Sequence, residues 1–164
     1  MTTLSRVALL LALLMAVAGC RQPDGPMPEA TEEALNRTDD ISRDLLSVAG
    51  GDPQAPMELA EDLSVFTIGE EGVAAAGELA AVVSVAVEGL DLAEERALQI
   101  ANSLWLVVAA RELSEGQMTA VRDGLRSDLV AAGADEVSAE AAAVEAGETQ
   151  ANVSTRPRRW YEIF

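Results

Sequence analysis

Val73-Ala74-Ala75-Ala76-Gly77-Glu78-Leu79-Ala80-Ala81-Val82-Val83-Ser84-Val85-Ala86-Val87, followed after a short break by Leu92 to Ala110, is the stretch on which the fold of this chain turns. The first segment carries a single charge, Glu78, and the second is apolar from Leu98 to Ala110 apart from Gln99, Asn102 and Ser103. A helix that is apolar almost all round must be buried on most of its sides. Between the two, Gly89 can stop the first helix, and Asp91 with Glu94 has the spacing of a capping box for the second. The pattern predicts a buried antiparallel hairpin from Val73 to Arg111 at the centre of an all-α bundle of five or six short helices. Gly72, Ala76 and Ala80, spaced by four, would let neighbouring helices approach closely. In a membrane such spacing is an association face, but these segments are short against the roughly 20 apolar residues of a bilayer span, so packing in a water-exposed domain is expected. Trp105 falls on the stripe Leu98, Ala101, Trp105, Val108 and reads as a core aromatic.

On the N-terminal side, Ala34, Thr38, Ile41, Leu45 and Val48 step by four, three, four and three within Glu29 to Ala49, with Leu35 and Leu46 broadening the stripe and acids opposite. Gly50-Gly51 before Asp52-Pro53 ends that helix, because proline cannot continue the hydrogen-bond ladder. A shorter helix is expected from about Ala55 to Thr67, packing Leu59, Leu63 and Phe66, with Gly69 and Gly72 bracketing the next break. On the C-terminal side, Ser114 and Gln117 make a capping box for a helix in which Met118, Val121, Leu125, Leu129 and Ala132 recur every three or four residues up to Gly133. Residues 135 to 147 are mostly Ala and Glu, with Val137, Ala141 and Val144 as a narrow stripe. Helix propensity there is high and little can be buried, which predicts a marginal, exposed helix running into a polar linker.

The chain's only cysteine, Cys20, follows Arg6 and the apolar run Val7 to Val17, the shape of a secretory signal ending in small residues. Val17-Ala18-Gly19-Cys20 resembles the lipobox of bacterial lipoproteins in all four positions. That resemblance implies cleavage between Gly19 and Cys20, acylation of the Cys20 thiol, and attachment to a membrane through covalent lipid. Arg21 stands where an aspartate would signal inner-membrane retention in the lipoproteins of enteric bacteria, so the outer membrane facing the periplasm is the expected destination. Pro23, Pro26 and Pro28 deny helix and favour an extended spacer. The expected organisation is a signal peptide over 1–19, a lipidated tether over 20–28, a helical domain over 29–133, an Ala/Glu-rich helix and linker over 134–155, and a basic, aromatic tail over 156–164.

Composition excludes much chemistry. Loss of residues 1–19 removes one arginine and no acid, so ten arginines face 28 carboxylates, a formal charge of −18 on 145 residues. Such a field repels nucleic acid, whose binding depends on neutralising phosphates with basic side chains, and it repels anionic membrane surfaces as well. There is no lysine and no histidine. Without His the commonest general base and metal ligand are gone, and with Cys20 acylated neither a thiolate nucleophile nor a Cys/His zinc site can be assembled. No enzyme activity, no cofactor and no transition-metal site are expected. Hard-cation binding by acidic pairs such as Asp39-Asp40, Glu61-Asp62, Glu70-Glu71 and Glu94-Glu95 is an alternative, although no loop places Asp or Asn ligands at alternate positions before a closing Glu. A hydrolase with paired carboxylates is disfavoured by small size and the lack of a cleft-forming pattern.

Two features point towards protein partners. Arg156-Pro157-Arg158-Arg159-Trp160-Tyr161-Glu162-Ile163-Phe164 concentrates three of the ten remaining arginines and three of the chain's five aromatics. Read one way, Trp160, Tyr161, Ile163 and Phe164 dock on a partner to which Arg158 and Arg159 steer them; read the other way, the segment folds back onto its own acidic helices. In addition, Leu113-Ser114-Glu115-Gly116-Gln117 is similar to the LTxxQ motif of periplasmic envelope-stress proteins, the family that includes the chaperone Spy, with Ser in place of Thr. The resemblance implies that Leu113, Ser114 and Gln117 are structural motif residues and that the role is holding unfolded clients or sensing envelope damage. The metal-resistance members of that family use His or Cys that this chain lacks. The function expected is that of a lipid-anchored, non-catalytic helical envelope protein that binds protein partners.

Overall fold

Thr38, Ile41, Leu45 and Val48 lie along one side of the first helix, and all four are buried. The same rule, apolar residues every three or four positions, governs the rest of the chain. The computed structural model describes residues 32–67, 69–109 and 113–154, and they form six helices. These are α1 (Glu32–Ala49), α2 (Ala55–Ser64), α3 (Gly69–Val87), α4 (Glu94–Ala109), α5 (Glu115–Ala132) and α6 (Glu136–Ser154). The all-α expectation is met, and no strand occurs among the described residues.

The local punctuation operates as the sequence implies. α1 runs into Gly50-Gly51, with the Asp52 N–H donating back to Ser47 O and the Gly51 N–H to Val48 O. α5 ends on the same pattern: Gly133 has φ 106°, its N–H donates to Val130 O, and the Ala134 N–H donates to Leu129 O. That double closure requires a left-handed residue just past the helix, which glycine adopts without a Cβ clash. Gly89, at φ 74°, does something more. Its N–H leaves its own helix and donates to Ala49 O at 3.2 Å, tying the end of α3 to the end of α1. One local signal fails: α4 begins at Glu94, so Asp91 lies exposed three residues ahead of the first helical residue and is too early to cap it.

Tertiary pairing follows a closed circuit. Each helix makes its two most extensive contacts with its neighbours in the order α1, α2, α3, α6, α5, α4 and back to α1. The first three helices thus form one consecutive unit and the last three another, joined along α1–α4 and α3–α6. The core runs through the middle, with Ile41, Leu45, Leu59, Leu63, Leu79, Ile100, Leu104, Leu125 and Leu129 fully buried.

Two sequence expectations are corrected. The central hairpin does not form as a packed pair: α3 lies against α2 and α6, α4 lies against α1 and α5, and the two stand across the circuit from each other. The connection of residues 88–93 reaches about 20 Å when extended, enough to separate them. A helix apolar on most sides needs several partners, and sequence adjacency does not choose them. The second correction concerns α6, expected to be short and marginal. It runs for 19 residues through the segment read as linker and packs along α3 more extensively than any other pair. Asp135 caps its start, accepting from the Val137 and Ser138 N–H groups at 3.0 Å and from Ser138 Oγ at 2.7 Å.

Candidate functional site

Gly19, Cys20, Arg158, Arg159, Trp160, Tyr161 and Phe164 lie outside the described residues, as do the tether and the tail that contain them. Ser114 and Gln117 are described, and the geometry is a reciprocal capping box. Ser114 Oγ accepts from the Gln117 N–H at 3.3 Å, and Gln117 Oε1 accepts from the Ser114 N–H at 2.8 Å. Leu113 packs half-buried against the core. Their local work is to start α5. The acidic pairs do not gather into a site, since no group of three or more metal-ligating side chains converges among the described residues.

Two acidic regions have features the sequence reading missed. The first is centred on Asp44, on the flank of the α1 stripe where α2 packs. Asp44 Oδ2 is shielded from solvent and has no hydrogen-bond partner. Burial is the main cause that drives the Asp44 carboxyl from its ordinary 3.8 up to about 7, and Asp62, Glu58 and Asp40 add to the rise. Arg43 opposes it, but its guanidinium is paired with Asp40 one turn away. Asp62 is also raised, by burial first and then by Asp40. A carboxyl titrating near neutrality suits proton transfer, yet the charged groups that act on this one are three carboxylates and a single opposing arginine, Arg43. The cluster stores repulsion at a helix interface. Asp44 and Asp62 each stand beside a buried leucine, Leu45 and Leu63, and the packing of the two helices brings them together.

That arrangement sets the sign of a pH effect. The unfolded chain releases the Asp44 proton near 3.8 while the folded bundle keeps it to about pH 7. The contribution of this group to stability is therefore full below the lower value and is lost as pH rises through the upper one. Asp44→Asn is expected to raise stability at pH 8 by about 1–2 kcal/mol, after discounting for the group's partial exposure, and to leave it nearly unchanged at pH 4. Urea melts at the two pH values check this, and an equal effect at both would contradict it.

The second region is the outer side of α3 and α6. These helices run antiparallel, since Thr149 Oγ1 near the end of α6 donates to Ala75 O near the start of α3 at 3.3 Å. The face that α6 buries is Ala139, Ala142, Ala143 and Ala146, continued by Thr149 and Gln150. The expected stripe of Val137, Ala141 and Val144 points outward instead, with Val137 79% exposed and Val144 42%. Alanine wins the interface because it lets helix axes approach towards the short end of the usual range, so backbone and Cβ contacts replace the larger side chains. On α3 the outward residues include Glu78 and Val85, the latter 69% exposed. Glu145 on α6 is pushed up by partial burial first, then by Glu148 on its own helix and Glu78 on α3, with no arginine among the groups that act on it. Among the described residues, two arginines of α5 reach α6: Arg122 Nε donates to Ala143 O at 3.0 Å and Arg126 pairs with Glu140 at 3.0 Å.

No described helix is long and apolar enough to cross a membrane. No protein-family model, no curated protein and no solved structure matches the chain.

Proposed function

We propose that this chain is a lipid-anchored, non-catalytic helical protein of the bacterial envelope that binds protein partners, attached through Cys20 and facing the periplasm from the outer membrane. The observation that carries the reading is Val17-Ala18-Gly19-Cys20 at the end of an apolar leader: it accounts both for the presence of a single cysteine and for its place. A charge of −18 on the remaining chain leaves lipid as the means of holding it at an anionic surface. The lack of His, Lys and any second Cys supports a binding role over a catalytic one. The tail supplies the contact residues Arg158, Arg159, Trp160, Tyr161 and Phe164, the residue types that dominate interface energetics. Holding of unfolded clients is the form of binding that the LTxxQ likeness at Leu113, Ser114 and Gln117 implies.

The test is a pull-down from detergent-solubilised envelopes, made with the full chain and with a chain lacking residues 156–164. The full chain should recover at least one protein that the shortened chain loses. Recovery of none by either chain removes the partner-binding proposal.

A further inference from the structure

We infer that the outer side of α3 and α6 is a docking surface for a cationic amphipathic helix of another protein, whose apolar side covers Val85, Val137 and Val144 and whose basic residues meet Glu78 and Glu148. The inference goes beyond the reading above: it assigns a contact surface within the folded body, apart from the tail, and gives the chemistry of what that surface takes.

Exposure is the first argument. Val73, Val85, Val137 and Val144 are four of the seven large hydrophobic side chains exposed among the described residues, and all four belong to this one helix pair. Residues three, four and seven apart share one side of a helix. By that rule Ala74, Glu78, Ala81 and Val85 make an outward row on α3, and Val137, Ala141, Val144 and Glu148 make another on α6, with every member exposed. Each row is apolar but for one glutamate. The register set by the Thr149 to Ala75 hydrogen bond between antiparallel helices places Val85 level with Val137 to Ala141, and Glu78 level with Glu145 to Glu148. The two rows therefore form one face, more apolar towards one end and acidic towards the other.

Charge is the second argument. α3 and α6 together contain seven glutamates and no basic residue. Of these, Glu140 is paired with Arg126 of α5, on the side away from α3. A face of one sign selects a partner of the other. The same fact disfavours a second copy of this chain, because a two-fold interface sets a patch against itself and would bring glutamate against glutamate.

Shape is the third argument. Ala81 and Ala141 stand between the larger side chains of their rows, so a third helix can settle between the two and approach them closely. An extended segment would need an open sheet edge, and no strand occurs among the described residues. Both helices have 19 residues, so the face is about 28 Å long.

The test titrates the full chain with a fluorescent synthetic peptide of about 18 residues, enough to run the length of the face as a helix. Leucines and alanines form one side of the peptide, and lysines flank that side towards one end. Anisotropy at physiological salt should show saturable binding of one peptide per chain, and a benzophenone on the apolar side should give adducts that map to α3 or α6. Glu78→Gln with Glu148→Gln, and separately Val85→Ser with Val137→Ser, should each weaken binding about tenfold. Glu94→Gln with Glu95→Gln on α4 removes as much charge and should change binding less than about twofold, since exposed charges at a distance are screened. All of these side chains are exposed, circular dichroism checks that the variants keep their helices, and the adducts report on the unaltered chain. Absence of saturable binding overturns the inference, as do equal binding of a scrambled peptide of the same composition, an equal loss from the α4 pair, or adducts outside α3 and α6. A chain lacking residues 156–164 should bind the peptide as well as the full chain, and a loss there would assign the contact to the tail instead. A pull-down that recovers no partner leaves this surface standing, and a failed titration leaves the tail's part in the pull-down standing.

Discussion

A Cys20→Ser chain made without residues 1–19 should be found in the soluble fraction rather than the membrane fraction almost completely. The expectation rests on how little else attaches it. Each buried acyl CH2 contributes about 0.8 kcal/mol, and one chain alone binds only marginally, with an association constant of about 10^4 per molar; two or three chains on one residue anchor a protein stably. The serine hydroxyl offers no thiol for the acylation that the lipobox resemblance implies. None of the described helices can span the bilayer, and the net charge opposes adsorption to anionic lipid. Ultracentrifugation of lysates, with detection of the wild-type chain and the variant, reads the result. A variant that stays with the membrane would show that something other than this thiol anchors the chain. Mass spectrometry of the wild-type product adds an independent check, since an N-terminal peptide starting at residue 20 must carry fatty chains.

Leu104→Ala is expected to cost about 2–5 kcal/mol of folding stability. Leu104 is fully buried in the middle of α4, the helix that joins the two three-helix units through α1. Its loss removes both transfer free energy and packing contacts, and the size of the residual cavity decides where in that range the cost falls. Here the surroundings are poorly equipped to collapse. Ala97 and Ala101 on α4 itself, and Ala76, Ala80, Ala139, Ala142 and Ala146 elsewhere in the core, have no rotamers with which to fill a gap. A domain of this size typically has about 5–15 kcal/mol in total, so the variant loses a large share of it. Urea denaturation followed by circular dichroism measures the loss. Met57→Ala serves as the comparison, because Met57 is 61% exposed and its truncation should fall within about 0.5 kcal/mol of wild type. If Leu104→Ala cost no more than Met57→Ala, the helix circuit described above would be wrong.

Neither acidic region was legible in the sequence, each for its own reason. Asp44 was hidden in plain view, because a carboxylate beside a helix stripe reads as solvated until the position of the second helix is known. Only the packing of α2 against α1 shields Oδ2 and brings Asp62 and Glu58 to bear on it. The outer side of α3 and α6 was misread for a different reason. Hydrophobicity alone favours burying Val137 and Val144, each worth more apolar area than an alanine. What it omits is that the partner, α3, brings small residues such as Ala75, whose carbonyl accepts from Thr149, and rewards close approach.

By itself the sequence determined the helices, most of their ends and the lipobox-like leader, because these are local properties. Periodicity places Ile41, Leu45, Leu59, Leu63, Val121, Leu125 and Leu129 inward, positive-φ glycines stop α1, α3 and α5, and Ser114 with Gln117 starts α5. The tertiary structure alone decided which helices touch and which face α6 buries. Those choices depend on the total packing of six helices whose faces are rich in alanine, and an alanine contributes so little area of its own that the fit to its neighbour, rather than its own hydrophobicity, settles which way it turns.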